Sequence, residues 1–299
     1  EALGEGVTEF AVGDHICVQP TIHDGTCRAC KRGLSNSCDS FGFVGLSGWG
    51  GGMSQLTTVP ANYAKKLPAD MPLEIGALVE PLAVGWHAVA NSPFKEGDSV
   101  LVLGGGPIGL SVILALIARN CDNIIVAEIS NRRRQFALDF GAHHVINPLE
   151  EDVVSKTAEL TQGQGVDVCF DAAGVQSAVD TGLKSVKARG TFVNIALWGA
   201  KRVSLDMTVM LFGERKYIAG TSFPTKTHLI IPRTDQLAVV TYTEGDFEGV
   251  IEAIHSGRMD PKAMITKIIR PDEVAEEGFK ALTDDKDNQV KILVDMSKV

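Results

Sequence analysis

Cys27, Cys30 and Cys38 form a C-x-x-C-x7-C cluster, and Asp24 stands three residues before the first cysteine, continuing the same spacing. Thiolates are soft ligands suited to zinc, and a closed zinc site takes four donors in a tetrahedron. One carboxylate with three thiolates carries the same formal charge as four thiolates. The spacing predicts a structural zinc on Asp24, Cys27, Cys30 and Cys38, with three unliganded loop thiols as the alternative. A different chemistry is written in Ser99-Val-Leu-Val-Leu-Gly104-Gly105-Gly106-Pro107-Ile108-Gly109-Leu110. Gly104, Gly106 and Gly109 give G-x-G-x-x-G between an apolar strand and a helix, and Glu128 follows at the end of the next apolar run, 19 residues past Gly109. In such a unit the first glycine permits a tight turn, the second admits a pyrophosphate and the third lets helix and strand pack closely. The phosphates then meet a helix N-terminus with its unpaired N–H groups. Gly104, Gly106, Pro107, Ile108 and Gly109 are therefore the expected dinucleotide cradle. A carboxylate at Glu128 would accept the adenosine ribose hydroxyls and repel a 2′-phosphate, which favours NAD over NADP. Arg132, Arg133 and Arg134 follow; Arg133 is the first choice for a coenzyme contact, against a solvated helix face as the alternative.

Glu80 is the third candidate. It interrupts the apolar run Ala77-Leu-Val-Glu-Pro-Leu-Ala-Val84. A buried carboxylate is costly unless it is paired or bound to metal. Pro81 is expected to end the preceding helix at Glu80 and let the side chain point into a cleft, with an exposed helix boundary as the alternative. His87 reads as a core histidine rather than a ligand.

The elements that must position these residues follow from pattern. Residues 1–68 are turn-rich with short alternating segments such as Met53–Val59, as in a small β domain. From Gly97 strands and helices alternate. Strands are expected at Ser99–Leu103, Ile124–Ala127, His144–Ile146, Val166–Phe170, Thr191–Ala196 and Lys216–Ala219. Helices are expected at Leu110–Ala118, Asn131–Phe140, Glu151–Leu160 and Ser177–Val186. Six strands with crossovers make a doubly wound parallel sheet, an α/β Rossmann architecture. The Ala172-Ala173-Gly174 turn after the fourth strand, and Leu197 after the fifth, are expected at the ribose and nicotinamide. Helices at Phe247–His255 and Asp272–Leu282 and strands at Ile265–Ile269 and Val290–Val294 complete the chain.

The 299 residues suffice for about two domains, and 44% hydrophobic with 22% charged residues is ordinary for a globular protein. A net charge of −9 argues against nucleic acid and anionic membrane as partners. Six cysteines, three of them clustered, fit a reducing compartment, so a cytoplasmic location without a signal peptide is expected.

Asp14-His-Ile-Cys-Val18, the cysteine cluster, Gly50-Gly-Gly-Met-Ser54, Gly76–Ala88 and Val102–Gly109 resemble the zinc-dependent medium-chain dehydrogenases, most closely the polyol branch with the 2,3-butanediol dehydrogenases. The resemblance covers nearly the whole chain. It implies a GroES-like catalytic domain over 1–90, truncated at its N-terminus, a Rossmann domain over 91–221, and a C-terminal return over 222–299. It implies a homodimer or homotetramer, and Glu80 as a ligand of a catalytic zinc. The implied reaction is hydride transfer from a secondary alcohol or vicinal diol to NAD, 2,3-butanediol to acetoin in the leading case, with zinc as Lewis acid. The family's other catalytic ligands lie upstream of the region matching Glu1, so the chain by itself is expected to be an inactive part of an active enzyme. Thr221–Ala238 has no counterpart in the family pattern and is expected to be a surface loop or a translated intron. Trp49 is expected to anchor its loop rather than line a substrate pocket. The alternatives are a zinc-free quinone or enone reductase using NADPH, and a non-catalytic NAD-binding fragment.

Overall fold

The computed structural model describes residues 1–47, 50–198, 202–221, 239–240 and 242–298. Trp49 and nearly all of the unusual 221–238 stretch lie outside the described residues. The chain divides into two units: residues 1–80 with 243–299, and residues 81–242. The sequence reading set its boundaries at 90 and 221.

In the first unit, β1 (Ile16–Val18) and β2 (Thr21–Ile22) pair antiparallel with β4 (Ala64–Lys66) and β3 (Gly42–Phe43) respectively. A short helix α1 (Leu73–Gly76) leads into α2 (Val79–Ala90), which from Pro81 onward belongs to the second unit. Pro81 does not end a helix at Glu80. It occupies the first turn of α2, where its missing N–H lacks an intrahelical partner in any case. Glu80 thereby sits at a helix N-terminus, where the helix dipole favours a carboxylate. Met53–Val59 forms no strand, and its Met53 and Leu56 side chains are exposed.

The second unit is built on β5 (Val100–Leu103), which is buried at all four positions, as expected of a strand covered on both faces. The turn after β5 feeds α3 (Pro107–Ile117), buried from Gly109 through Leu116 and apolar around most of its circumference. Then follow β6 (Ile124–Ala127), α4 (Asn131–Asp139), β7 (His144–Ile146), α5 (Val153–Leu160), β8 (Val166–Asp171), α6 (Gln176–Ser185), β9 (Val186–Asn194), α7 (Met207–Gly213), β10 (Lys216–Thr221) and β11 (Val239–Val240). The strand order is β11-β10-β9-β8-β5-β6-β7, and every pairing in it is parallel. The six expected strands are present, and β11 adds a two-residue edge. β9 starts earlier than expected because α6 ends at Ser185 and the chain turns straight into the sheet at Val186. The order reverses between β5 and β8, which is the switch point at which doubly wound sheets take ligands.

The chain returns to the first unit with α8 (Asp246–His255) and the parallel pair of β12 (Ile265–Ile269) and β13 (Lys291–Val294). The expected helix over 272–282 is present as one continuous helical run that changes its winding: a 3-10 turn at Pro271–Glu273, a π-helical stretch at Val274–Lys280 and α9 (Ala281–Asp284). Gly278, a weak helix former, lies mid-segment with its Cα close to the Ile269 side chain.

Candidate functional site

The coenzyme cradle is organised by the turn between β5 and α3. Gly104 adopts φ +95°, a conformation that L side chains rarely reach. Its N–H donates to the Ala127 carbonyl at 2.9 Å, fixing the turn to β6. A Cβ at Gly109 would stand 1.9 Å from the Gly104 carbonyl oxygen, so no larger residue fits there. A Cβ at Gly106 would meet nothing nearer than Arg133 Nη1 at 3.9 Å, which leaves open space where a phosphate is expected. Gly106 caps α3 with no side-chain hydrogen bond, and Pro107 opens the helix. The N–H groups of the first turn are thus left for an anion.

Glu128 is buried and held at both oxygens. Gly105 N–H donates to Oε2 at 2.7 Å and Ser130 N–H donates to Oε1 at 2.9 Å. The acid therefore braces the cradle turn as well as presenting a carboxylate beside it. Gly105 is a residue that the sequence reading missed, since it fills a variable place in the motif. The three arginines separate cleanly. Arg132 lies over the Phe136 ring at 4.3 Å. Arg134 donates to the Glu128 and Ile129 carbonyls, each at 2.8 Å, and to Asn131 Oδ1. Arg133 alone points toward the cradle.

The far side of the switch point is set by Asp171, at the carboxyl end of β8. Its Oδ1 accepts from Ala173 N–H at 2.9 Å and Gly174 N–H at 3.1 Å, closing the turn that was expected near the ribose. Backbone atoms of Ala172 and Ala173 pack on Gly104, and the Cα of Gly174 faces the Ala196 side chain and the Leu197 carbonyl. Gly104, Ala173 and Leu197 are thus brought to one edge of the sheet. Ala173 and Leu197 are both exposed there.

In the other unit, one ligand-type atom from each of Asp24, Cys27, Cys30 and Cys38 lies within 4.8 Å of every other. Among the described residues this is the only group of three or more such side chains within reach of one ion. Main-chain N–H groups prepare the sulfurs as acceptors: Cys30 N to Cys27 Sγ at 3.4 Å, Asp24 N to Cys38 Sγ at 3.4 Å and Ser40 N to Cys38 Sγ at 3.3 Å. The N–H groups of Cys27 and Thr26 hold the Asp24 carboxyl below its ordinary value. Hydrogen bonding, led by the Cys30 N–H, lowers Cys27. Loss of solvation, then the neighbouring Cys27 and Cys38 sulfurs, push the Cys30 thiol up to about 12. The Cys30 thiol thus resists ionising beside its neighbours, and a bound dication would reverse that resistance by deprotonating its thiol ligands. The donor set fits zinc.

Glu80 is half-buried at the start of α2 and belongs to no such group of ligands among the described residues. Its charged neighbour is Lys291, on β13. Burial pulls the Lys291 ammonium below its ordinary value and the Glu80 carboxylate opposes that shift. The described residues therefore do not form a catalytic zinc site around Glu80. Lys291 was not singled out from sequence, although a lysine inside the apolar run Val290–Val294 was the available signal. His87 is buried, with Asn91 Nδ2 within 3.2 Å of its Nδ1, as a core histidine should be.

The sequence profile of the alcohol dehydrogenase GroES-like domain matches residues 1–69, and that of zinc-binding dehydrogenases matches residues 107–236. The (R,R)-butanediol dehydrogenase of Saccharomyces cerevisiae is 36% identical, over 98% of this chain and 76% of that protein. The crystal structure of 2R,3R-butanediol dehydrogenase from Bacillus subtilis superposes with a TM-score of 0.85 at 34% identity, over 98% of this chain and 77% of that one. A protein of Sinorhizobium meliloti described as a zinc-binding dehydrogenase, solved with NADP, gives a TM-score of 0.82 at 25% identity over 98% of this chain and 80% of that one. Among the described residues no helix is long and apolar enough to cross a membrane. A GroES-like N-terminal domain, a parallel Rossmann sheet and this identity over nearly the full length place the chain in the zinc-binding medium-chain dehydrogenase family.

Proposed function

We propose that the chain serves an NAD-dependent dehydrogenase that oxidises a secondary alcohol or vicinal diol to the ketone, with 2,3-butanediol and acetoin as the leading pair. The observation that carries the coenzyme half is the cradle: an open Gly106 beside a helix N-terminus, and a buried Glu128 carboxylate bonded to Gly105 at 2.7 Å. That fixed negative charge suits ribose hydroxyls and repels a 2′-phosphate, which favours NAD over NADP. Arg133, whose Nη1 lies beside Gly106, is assigned to the phosphates, and the Ala173 turn with Leu197 is assigned to the nicotinamide end. The substrate half rests on the two butanediol dehydrogenases, whose likeness extends over 98% of this chain.

The chain's own residues at the cradle would hold and orient the coenzyme, which when bound would supply the nicotinamide that exchanges hydride with the substrate carbinol carbon. Zinc, when bound by Asp24, Cys27, Cys30 and Cys38, would supply a structural cross-link between loop segments. Glu80 is assigned one ligand position toward a catalytic zinc, whose remaining ligands are not among the described residues. The comparisons lend no support to the expectation that the chain is inactive by itself. The reading also takes the enzyme as a cytoplasmic homodimer or homotetramer acting on a small molecule.

The test is coenzyme reduction at 340 nm with racemic and meso 2,3-butanediol, sorbitol and xylitol, using the chain as it stands and a version extended upstream. The expected result is fastest NADH formation on a butanediol. Turnover only of sorbitol or xylitol removes the butanediol assignment. Tighter binding of NADPH than NADH, together with zinc-free protein, replaces it with the quinone or enone reductase reading.

A further inference from the structure

Asp171 is wholly buried at the carboxyl end of β8, opposite Leu103 of β5 and Asn194 of β9, at the switch point of the sheet. Its two oxygens are treated differently. Oδ1 takes the Ala173 and Gly174 N–H groups, whereas Oδ2 is buried with no hydrogen-bond partner. Among the described residues no cationic side chain pairs with it, although carboxylates this deep are almost always paired. Its nearest titratable neighbours are no better as counter-charges. Tyr217, on β10, is pushed up to about 12 by burial and then by the Asp171 charge, and the Cys169 thiol is raised by burial and then by the same charge. Asn194 is engaged by Trp198 Nε1 at 2.8 Å. Burial pushes the Asp171 carboxyl above its ordinary value, and the Gly174 and Ala173 N–H groups oppose that shift by holding the carboxylate, which stands without a counter-charge below the turn assigned to the nicotinamide end.

We propose that Asp171 sets the balance between the two oxidation states of the bound coenzyme, favouring the positively charged nicotinamide of NAD over the neutral ring of NADH. The inference rests on the coenzyme reading above and goes beyond it. A fixed charge is felt through the protein interior over several ångströms, and only one of the two coenzyme forms carries a positive charge on the ring. The carboxylate therefore stabilises the oxidised form selectively, which favours release of the reduced one.

The experiment compares dissociation constants for NAD, NADH and ADP-ribose in wild type and in Asp171→Asn, which keeps an oxygen acceptor for the Ala173 turn. NADH is read by fluorescence, and NAD and ADP-ribose by calorimetry. In the variant NAD is expected to bind about 10-fold more weakly, with NADH changed less than about 2-fold and ADP-ribose unchanged. Equal weakening of all three ligands overturns the inference, because it shows that Asp171 only shapes the turn. An unchanged NAD-to-NADH ratio overturns it as well. Asp171→Ser, also neutral and able to accept from the turn, gives the same reading should the asparagine variant not fold. Failure of the wild-type protein to bind any of the three removes the coenzyme reading itself, and is recognised before any variant is made.

Discussion

Glu128 shows how one side chain acquires two duties. Its oxygens take the Gly105 and Ser130 N–H groups, so removing it leaves a buried and a part-buried donor without their acceptor as well as deleting the proposed ribose acceptor. Hydrogen bonds to a charged group contribute about 1.5–3 kcal/mol each. Glu128→Ala is accordingly expected to weaken NADH binding by at least about 10-fold and to abolish discrimination against NADPH, as measured by fluorescence titration with both coenzymes. Arg133→Met should weaken NADH binding a few-fold and reduce its salt dependence, while Arg132→Met, which only removes a cation from the Phe136 ring, should do neither. Glu128 was legible in the sequence because a helix of ordinary length and one strand separate it from the glycines, which makes its distance along the chain meaningful. Asp171 and Lys291 were not legible. Asp171 acquires its setting only when β8 pairs with β5, and Lys291 meets Glu80 only when the C-terminal strands return to the first unit. No local spacing encodes either meeting.

Elements carry their own predictions. The crossing of α3 over the β5 turn leaves no space at Gly109. Gly109→Ala should force the turn and helix apart, costing about 1–3 kcal/mol in chemical denaturation and most of the NADH affinity. At the opposite end of the sheet, Asp167 on β8 accepts from Ser99 N–H at 3.0 Å and Ser99 Oγ at 2.9 Å, and pairs with Lys187 of β9. Burial works against its ionisation, but the Lys187 ammonium and the two Ser99 donors outweigh it, so its carboxyl titrates below its ordinary value. A carboxyl lowered on folding stabilises at pH values above its unfolded pKa of about 4 and loses that contribution as pH falls through the folded value. Asp167→Asn should cost about 1–2 kcal/mol at pH 7 in urea unfolding and show a flatter decline than wild type below about pH 4. The strands of the sheet were readable because continuous apolar runs bounded by turns leave little choice. The helix over 272–282 was legible too, but its winding was not: the backbone passes from 3-10 through π to α along Pro271–Asp284, a change that side-chain pattern does not encode.

Across the whole molecule, the two units should respond to different ligands. A zinc held by Asp24, Cys27, Cys30 and Cys38 ties together the loops of residues 24–38 and contributes its binding energy to the folding of that unit. Chelation is expected to speed amide exchange over residues 20–45 and leave β5, β6 and β8 unchanged, as followed by exchange mass spectrometry. NADH should produce the converse pattern. Cobalt substitution should give the visible spectrum of three thiolates and one oxygen, shifting toward that of four thiolates in Asp24→Cys. The first unit is assembled from both arms of the chain: Lys65 meets Glu248 at 2.8 Å, and α2 begins where residues 1–80 give way to the sheet. An emerging polypeptide can therefore complete the coenzyme sheet while the earlier-made arm still waits for residues 243–299. During synthesis that arm, with its free thiols, is the part left open to oxidation and to chaperones, and early metal capture at residues 24–38 would shorten the interval.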